Sequence, residues 1–397
     1  VEDRYWDIKM KRIISVLVLL VLILSSCQSI GTTGTVGEIN SDFQPYLEPS
    51  EYCDYDNPLI IEKANEIREE VIAQSMEKDI TEEELNRRIA VRSFYFVKDE
   101  IPFSSVFEFE EASETLEKEY GNCFTKSNLL AALCRANGIP ARFHLIEISG
   151  KAVSDVMPKM GGLYQSENAE LRHSVAEIYL GGRWIRADCT RDRYLSPERS
   201  YAWDGRKDTP ENPFKIGEIG TFANIDPKKV KAIKSKDDVI WKAAGNILLV
   251  YIDDLRFERS GKRAFNKEEL AEIGEETLQY SKLQMRHKGN LSSVLLYFRI
   301  LNGLGGMKID LLEKTPQRVV FTTPNPLSDN SYLIYAKCLE GGARSIDPGI
   351  NYEVRKNGEQ FEICMTSDSE GSILAYLDIL HCILKLVVNM IYTLWTR

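Results

Sequence analysis

Apolar positions recur at three- and four-residue intervals through the first well-patterned part of the chain. In "PLIIEKANEIREEVIAQSMEK", Ile60, Ala64, Ile67, Val71 and Ile72 share roughly helical spacing, and Pro58 is placed to open the helix. Thr81 followed by Glu84 is a capping box for a second helix through about Lys98, with Phe94, Phe96 and Val97 as core near its end. "DEIPFSSVFEFEEASETLEKEYGNC" then reads as an extended loop and a short helix that deliver the chain to Cys123. From Cys123 the helical period returns. Leu129, Leu130, Leu133 and Cys134 supply the buried face, Gly138 takes the position just past the end, and Pro140 blocks continuation.

From Ala141 the period shortens to two. "ARFHLI" reads as a strand, and "RHSVAEIYLGGRWIRADCT" as two strands joined by Gly181-Gly182, a dipeptide suited to a two-residue primed turn. The segment 147–171 between them is expected to loop out near whatever site the strands carry. Residues 206–238 are punctuated by Pro and Gly, hold a basic patch, and read as a connector wrapping the preceding domain. Helices are expected near 239–257, 266–287 and 291–302. Strand-like stretches "KIDLLEK", "QRVVFTT", "NYEVRKN" and "EQFEICM" follow, making 239–397 a second α+β unit. The last stretch, 372–397, carries Asp378, His381, Lys385, Asn389, Thr393 and Thr396 as one polar stripe on an apolar helix. A packed terminal helix or an oligomer contact is the first reading, and an interfacial membrane helix the second.

The N-terminus has the form of an address. Lys11 and Arg12 precede the apolar run Ile13 to Leu24, which has the length of a secretory core rather than a membrane span. Leu24-Ser25-Ser26-Cys27 resembles a bacterial lipobox, which implies a signal peptide over 10–26 and lipidation of Cys27. Residues 1–9 carry acidic residues unsuited to a signal peptide, so translation is expected to begin at Met10. Residues 27–52, rich in Gly, Ser and Thr, read as a flexible stalk. The globular part is therefore expected outside the cytoplasm, lipid-anchored to a bacterial membrane, where disulfides are permitted.

Composition narrows the class. The 397 residues carry a formal net charge of −10 and a pI near 5.2, which argues against nucleic acid as a partner. The cysteines at 27, 53, 123, 134, 189, 338, 364 and 382 contain no CxxC pair and no Cys/His zinc spacing, so neither metal nor cofactor is expected. A Cys338–Cys364 disulfide is a guess; the pairing is not legible.

Candidate chemistry centres on Cys123. Asn122 (or Gly121) can cap its helix, which puts Cys123 in the first turn, at the positive end of the helix dipole, where a thiolate is stabilised. Cys134 lies mid-helix on the apolar side and reads as core. The hairpin supplies partners. Its turn pairs Leu180 with Arg183, and counting back sets Tyr179 against Trp184, Glu177 against Arg186, Val175 against Asp188 and His173 against Thr190. His173 and Asp188 then share a face on a diagonal, about 7–8 Å apart along the backbone. A carboxylate there holds one imidazole nitrogen and leaves the other for a thiol, the arrangement of an activated sulfur nucleophile.

"GNCFTKSNLLAALCRANGIPARF" followed by "HSVAEIYLGGRWIRADCT" resembles the transglutaminase-like superfamily, the papain-related Cys-His-Asp fold. The upstream "FYFVKDEIPFS" is similar to that family's lead-in helix and loop, and the resemblance covers roughly residues 85–205. It implies an α+β fold in which the cysteine-bearing helix packs on an antiparallel sheet, a catalytic domain over 53–205, Cys123 as nucleophile, His173 as general base and acid, and Asp188 as orienting carboxylate. Val175 stands where the family has an aromatic, and Cys189 where it has Pro. The implied reaction is acyl transfer through a thioester. Hydrolysis of peptide-like amides in the cell envelope is the first expectation; a protein cross-linker or a non-catalytic peptide-binding module are the alternatives.

Overall fold

The structure is a computed structural model that describes residues 41–75, 80–104, 109–156, 170–226, 239–304, 309–323, 328–357 and 360–395. The segment 10–26, Cys27, most of the stalk, residues 157–169 and residues 227–238 lie outside the described residues.

Helix α1 (Pro58–Gln74) starts at Asn57, whose side chain accepts from the Leu59 N–H, and buries Ile60, Ala64, Ile67 and Val71. Ile72 is instead half exposed. In α2 (Glu82–Tyr95) Thr81 accepts from the Glu84 N–H, while the Glu84 carboxylate accepts from Arg87 and Arg88. One π turn, Phe96–Glu100, follows. After α3 (Ala112–Lys118) comes α4 (Cys123–Ala136), buried on every side from Thr125 to Arg135. Burial all round marks a central helix, more enclosed than its single apolar stripe predicts. Arg135 is held by carbonyls of Glu48 and Ala141, which fixes the helix end against the first strand.

The strands β1 (Ala141–Ser149), β2 (Glu170–Leu180), β3 (Arg183–Ala187) and β4 (Lys215–Phe222) form an antiparallel sheet in the order β3-β2-β1-β4. Gly181 and Gly182 have φ of 58° and 79°, the left-handed conformations that a primed two-residue turn requires. The hairpin register is the expected one: Leu180 faces Arg183, Tyr179 faces Trp184 and Glu177 faces Arg186. Tyr179 and Trp184 meet edge to face. The charges, however, choose other partners. Glu177 takes Arg142 of β1 at 2.7 Å, and Arg186 takes Asp208 at 3.1 Å. The ladder also stops at Ala176–Ala187, so the expected pairs at 175/188 and 173/190 do not form. Beyond it, Thr209 occupies the edge, its N–H donating to the Arg186 carbonyl. Strand β4 is a second departure: part of the presumed connector is the fourth strand of the sheet. Helix α4 and this sheet enclose one core with Phe94, Phe143, Ile178 and Trp203.

Residues 239–395 contain α5 (Val239–Ser260), α6 (Lys267–Tyr280), α7 (Leu291–Leu304), β5 (Asp310–Lys314), β6 (Arg318–Thr323), α8 (Asp329–Ile346), β7 (Asn351–Asn357), β8 (Gln360–Thr366) and α9 (Leu374–Trp395). Their antiparallel sheet runs β5-β6-β8-β7. Helix α8 is not anticipated by the sequence reading. The guessed Cys338–Cys364 disulfide is absent, and both thiols are free. Phe361, Ile363 and Met365 of β8 enter the core with α7 and α8, so alternation turns Cys364 to the opposite face of the sheet, away from Cys338 on α8.

Helix α5 packs against the segments that flank the Cys123 cleft. Its Ile252 packs with Phe103, Val156 and Leu195, and its Arg256 donates to Asp192 at 3.0 Å and to the Phe103 carbonyl at 3.0 Å. In α9, Ala375, Ile379 and Ile383 are buried while Leu377, Leu380 and Leu384 are exposed. Asp378 of the expected polar stripe is an internal contact, accepting from the N–H groups of Arg286 and His287. Among the described residues, no helix is long and apolar enough to cross a membrane.

Candidate active site

Cys123 is the first residue of α4. Asn122 caps the helix, its Oδ1 accepting from Phe124 N at 2.8 Å and Thr125 N at 3.1 Å, while Thr125 Oγ1 accepts from Asn122 N at 2.9 Å. Gly121, just before Asn122, bridges to the extended segment 102–104, donating to the Pro102 carbonyl and accepting from Ser104 N. A Cβ on Gly121 would lie 2.4 Å from Thr125 Oγ1, so glycine is what lets the chain pass this close to the capping side chain. The loop, the cap and the helix together fix the cysteine at the helix mouth, partly exposed.

His173 lies near the start of β2 and is buried. The next residue, Ser174, shares a 2.7 Å hydrogen bond with Ser127 of α4, one turn on from Cys123. That bond couples strand to helix beside Cys123 and His173. His173 Nε2 is 2.9 Å from Asp188 Oδ2. Cys123 and this imidazole line the same cleft, and the Cys123 sulfur contributes to the electrostatics of the ring. The other Asp188 oxygen, Oδ1, accepts from Thr190 N at 3.0 Å, and Asp188 N donates to Thr209 Oγ1 at 3.0 Å. Cys123, His173 and Asp188 therefore come together, although the strand ladder that predicted the His–Asp contact ends one residue short of Asp188. Thr209 replaces the missing ladder bond.

Electrostatics follow from this enclosure. Burial opposes the imidazolium, but the Asp188 carboxylate and then the Cys123 sulfur outweigh it and push the His173 pKa up to about 10. Burial likewise opposes the Asp188 charge, and His173 with the Thr190 bonds holds the carboxyl well below its usual range. The imidazole is thus poised to carry a proton beside a sulfur. Burial alone dominates the neighbouring thiols: it pushes Cys189 up to about 12 and raises Cys134, so both read as packing. Val175 is buried and lines, with His144 and Pro210, a neighbouring hollow that shares Asp188 with the Cys123 cleft.

The cleft, about 530 Å³ counting its open mouth, is lined by Phe103, Cys123, Leu171, His173, Asp188 and Tyr201 among others. Residues 72–189 match the family model of the transglutaminase-like superfamily. This transglutaminase-like stretch contains Cys123, His173 and Asp188. No curated protein matches the chain. Among solved structures, a candidate cysteine protease of Cytophaga hutchinsonii is 20% identical with a TM-score of 0.29, over 47% of this chain and 49% of that one. Red sea bream transglutaminase is 9% identical with a TM-score of 0.27, over 69% of this chain and 46% of that one. The chain spans about half the length of each.

Sequence reasoning missed the charged frame around the candidate site. Asp192 is 1% exposed and accepts from the N–H groups of Phe103, Tyr194 and Leu195 as well as from Arg256. Despite its burial, Arg256 in particular holds its pKa at about 2. Arg259 of α5 donates to the carbonyls of Leu195 and Asp155. Helix α5 thus braces the loop that follows Asp188. The "RDR" run at 191–193 was the available signal; its partner lies 64 residues away on α5.

Proposed function

We propose that this protein is a thiol-dependent acyl-transfer enzyme, a peptidase or amidase acting on peptide-like amides. The observation that carries the reading is one cleft lined by Cys123 at a helix N-terminus, by His173 and by the Asp188 carboxylate that His173 Nε2 meets at 2.9 Å. The superfamily match over 72–189 supports it.

In this reading the Cys123 sulfur attacks the amide carbonyl, forming the C–S bond. Electrons move onto the oxygen, where the Cys123 N–H at the helix mouth stabilises them. That N–H is not among those taken up by the Asn122 side chain. The imidazolium of His173 gives its proton to the departing amine as the C–N bond breaks. It then takes a proton from water, whose oxygen resolves the thioester and returns the sulfur. Asp188 holds the ring and balances its charge throughout. The lipobox-like Leu24-Ser25-Ser26-Cys27 supports placing this activity at the cell envelope, with Cys27 as the lipid-bearing residue.

p-Nitrophenyl acetate tests the chemistry without a known substrate. The full chain is expected to release a burst of nitrophenol and to carry an acetyl group on Cys123 by mass spectrometry. Cys123→Ala and His173→Ala are expected to lose the burst. Added primary amine separates the acceptors: hydrolysis leaves it unmodified, whereas a cross-linker consumes it. A burst that survives in Cys123→Ala would overturn the proposal.

A further inference from the structure

Arg191 stands three residues beyond Asp188 and lines the same cleft as Cys123 and His173. It is 6% exposed, with its guanidinium over the Phe103 ring at 4.5 Å. Nη2 donates to the Ala152 carbonyl at 3.0 Å and approaches Asp155 Oδ1 at 3.5 Å. Nη1 is buried and has no hydrogen-bond partner among the described residues. A guanidinium nitrogen taken from water and left unpaired is unfavourable, so the position asks for an acceptor.

The local charges show what that acceptor should be. Asp155 cannot neutralise Arg191 alone, because Arg199 Nη1 also lies 3.5 Å from it and Ser196 Oγ lies 3.3 Å from its other oxygen. Asp188 is committed to His173 and Thr190. Burial lowers the Arg191 pKa only to about 10, so the side chain remains a cation at neutral pH. Arg191 therefore brings to the lining of the cleft a charged, planar donor with one buried nitrogen unpaired, a match for a carboxylate.

We propose that Arg191 determines specificity by receiving, through Nη1, a carboxylate that the acyl substrate carries beside its scissile amide. The substrate class is an acidic peptide, with a free terminal or side-chain carboxylate on the residue whose amide is attacked. This rests on the acyl-transfer reading. It adds a residue that selects the substrate rather than one that moves protons.

Iodoacetate and iodoacetamide test it on the full chain, because they share a leaving group and differ in carboxylate against carboxamide. In each case the sulfur displaces iodide. The quantity read is the ratio of the two rates at Cys123, located by mass spectrometry, against the same ratio for glutathione. Reading a ratio cancels any general change in reactivity. In the wild type it is expected to exceed the glutathione ratio roughly tenfold, the scale of one charge-assisted hydrogen bond. Arg191→Gln is expected to bring it down to the glutathione ratio, and Arg191→Lys to fall between. A wild-type ratio equal to that of glutathione, or a high ratio kept in Arg191→Gln, would overturn the proposal.

Protection needs no variant. Glutarate is expected to slow iodoacetamide alkylation of wild-type Cys123 and glutaramide is not; equal protection would contradict the carboxylate site. Failure of Cys123 to react with either reagent would instead refute the acyl-transfer reading, and this proposal with it.

Discussion

Asp188→Asn keeps the shape of the side chain and removes its charge. With His173 held at about 10 against an ordinary 6.5, the folded protein favours the imidazolium by about 5 kcal/mol, at 1.36 kcal/mol per tenfold. Because the folded-state value is the raised one, this stabilisation is complete below pH 6.5 and is lost as pH rises through about 10. At pH 7 about 4 kcal/mol of it remains. In the variant, burial acts with less opposition, and His173 is expected to titrate far lower. The assay is an NMR titration of the imidazole carbon-bound protons, paired with urea unfolding of both proteins at about pH 7 and about pH 10.5. The variant is expected to be less stable by up to about 4 kcal/mol at the lower pH, with the gap closing at the higher one. A wild-type His173 that titrates near its ordinary value would refute the reasoning. So would a stability gap that does not change with pH.

Other positions give independent outcomes. Arg256→Met leaves the buried Asp192 without its guanidinium, an expected loss of about 3–5 kcal/mol in urea unfolding, together with slower Cys123 alkylation as the 188–196 loop loses its brace. Unchanged alkylation in the folded variant would show that α5 does not position the site. Gly121→Ala places a Cβ 2.4 Å from Thr125 Oγ1 and is expected to cost about 1–3 kcal/mol, read as a lowered urea midpoint. Cys27→Ser is expected to abolish metabolic labelling with an alkyne fatty acid in a bacterial host; labelling that persists would remove Cys27 as the lipidated residue.

The part of the fold that carries the chemistry was legible because its signals are local. Asn122 caps α4, Gly138 takes the expected left-handed conformation with φ of 74° after it, and Gly181-Gly182 sets the hairpin register from which His173 and Asp188 were brought together. What escaped the sequence depends on contacts distant along the chain. Helix α8 contains Gly341-Gly342, which reads as a break. These glycines sit inside the helix because a Cβ would lie 2.1 Å from Ser281 Oγ at one and 2.3 Å from the Tyr297 hydroxyl at the other. Close helix packing, not chain flexibility, accounts for them. Strand β4 interrupts its pattern with Gly217 and Gly220 and leaves Ile216 exposed, so alternation gives a weak signal there. Its pairing with β1 shifts register between Leu145 and Ile146 and between Glu147 and Ile148. Arg191 and Asp192 are buried by partners distant along the chain, Ala152 and Arg256, so the "RDR" run alone does not announce their burial.

The central claim is that His173 activates the Cys123 sulfur, and alkylation by iodoacetamide at about pH 5.5 tests it most directly. An unassisted thiol is only about a thousandth ionised there, whereas a sulfur paired with an imidazolium stays reactive. The wild type is expected to alkylate at Cys123 about 10²- to 10³-fold faster than His173→Ala. Equal rates in the two proteins, or a Cys123 found in a disulfide, would contradict the account.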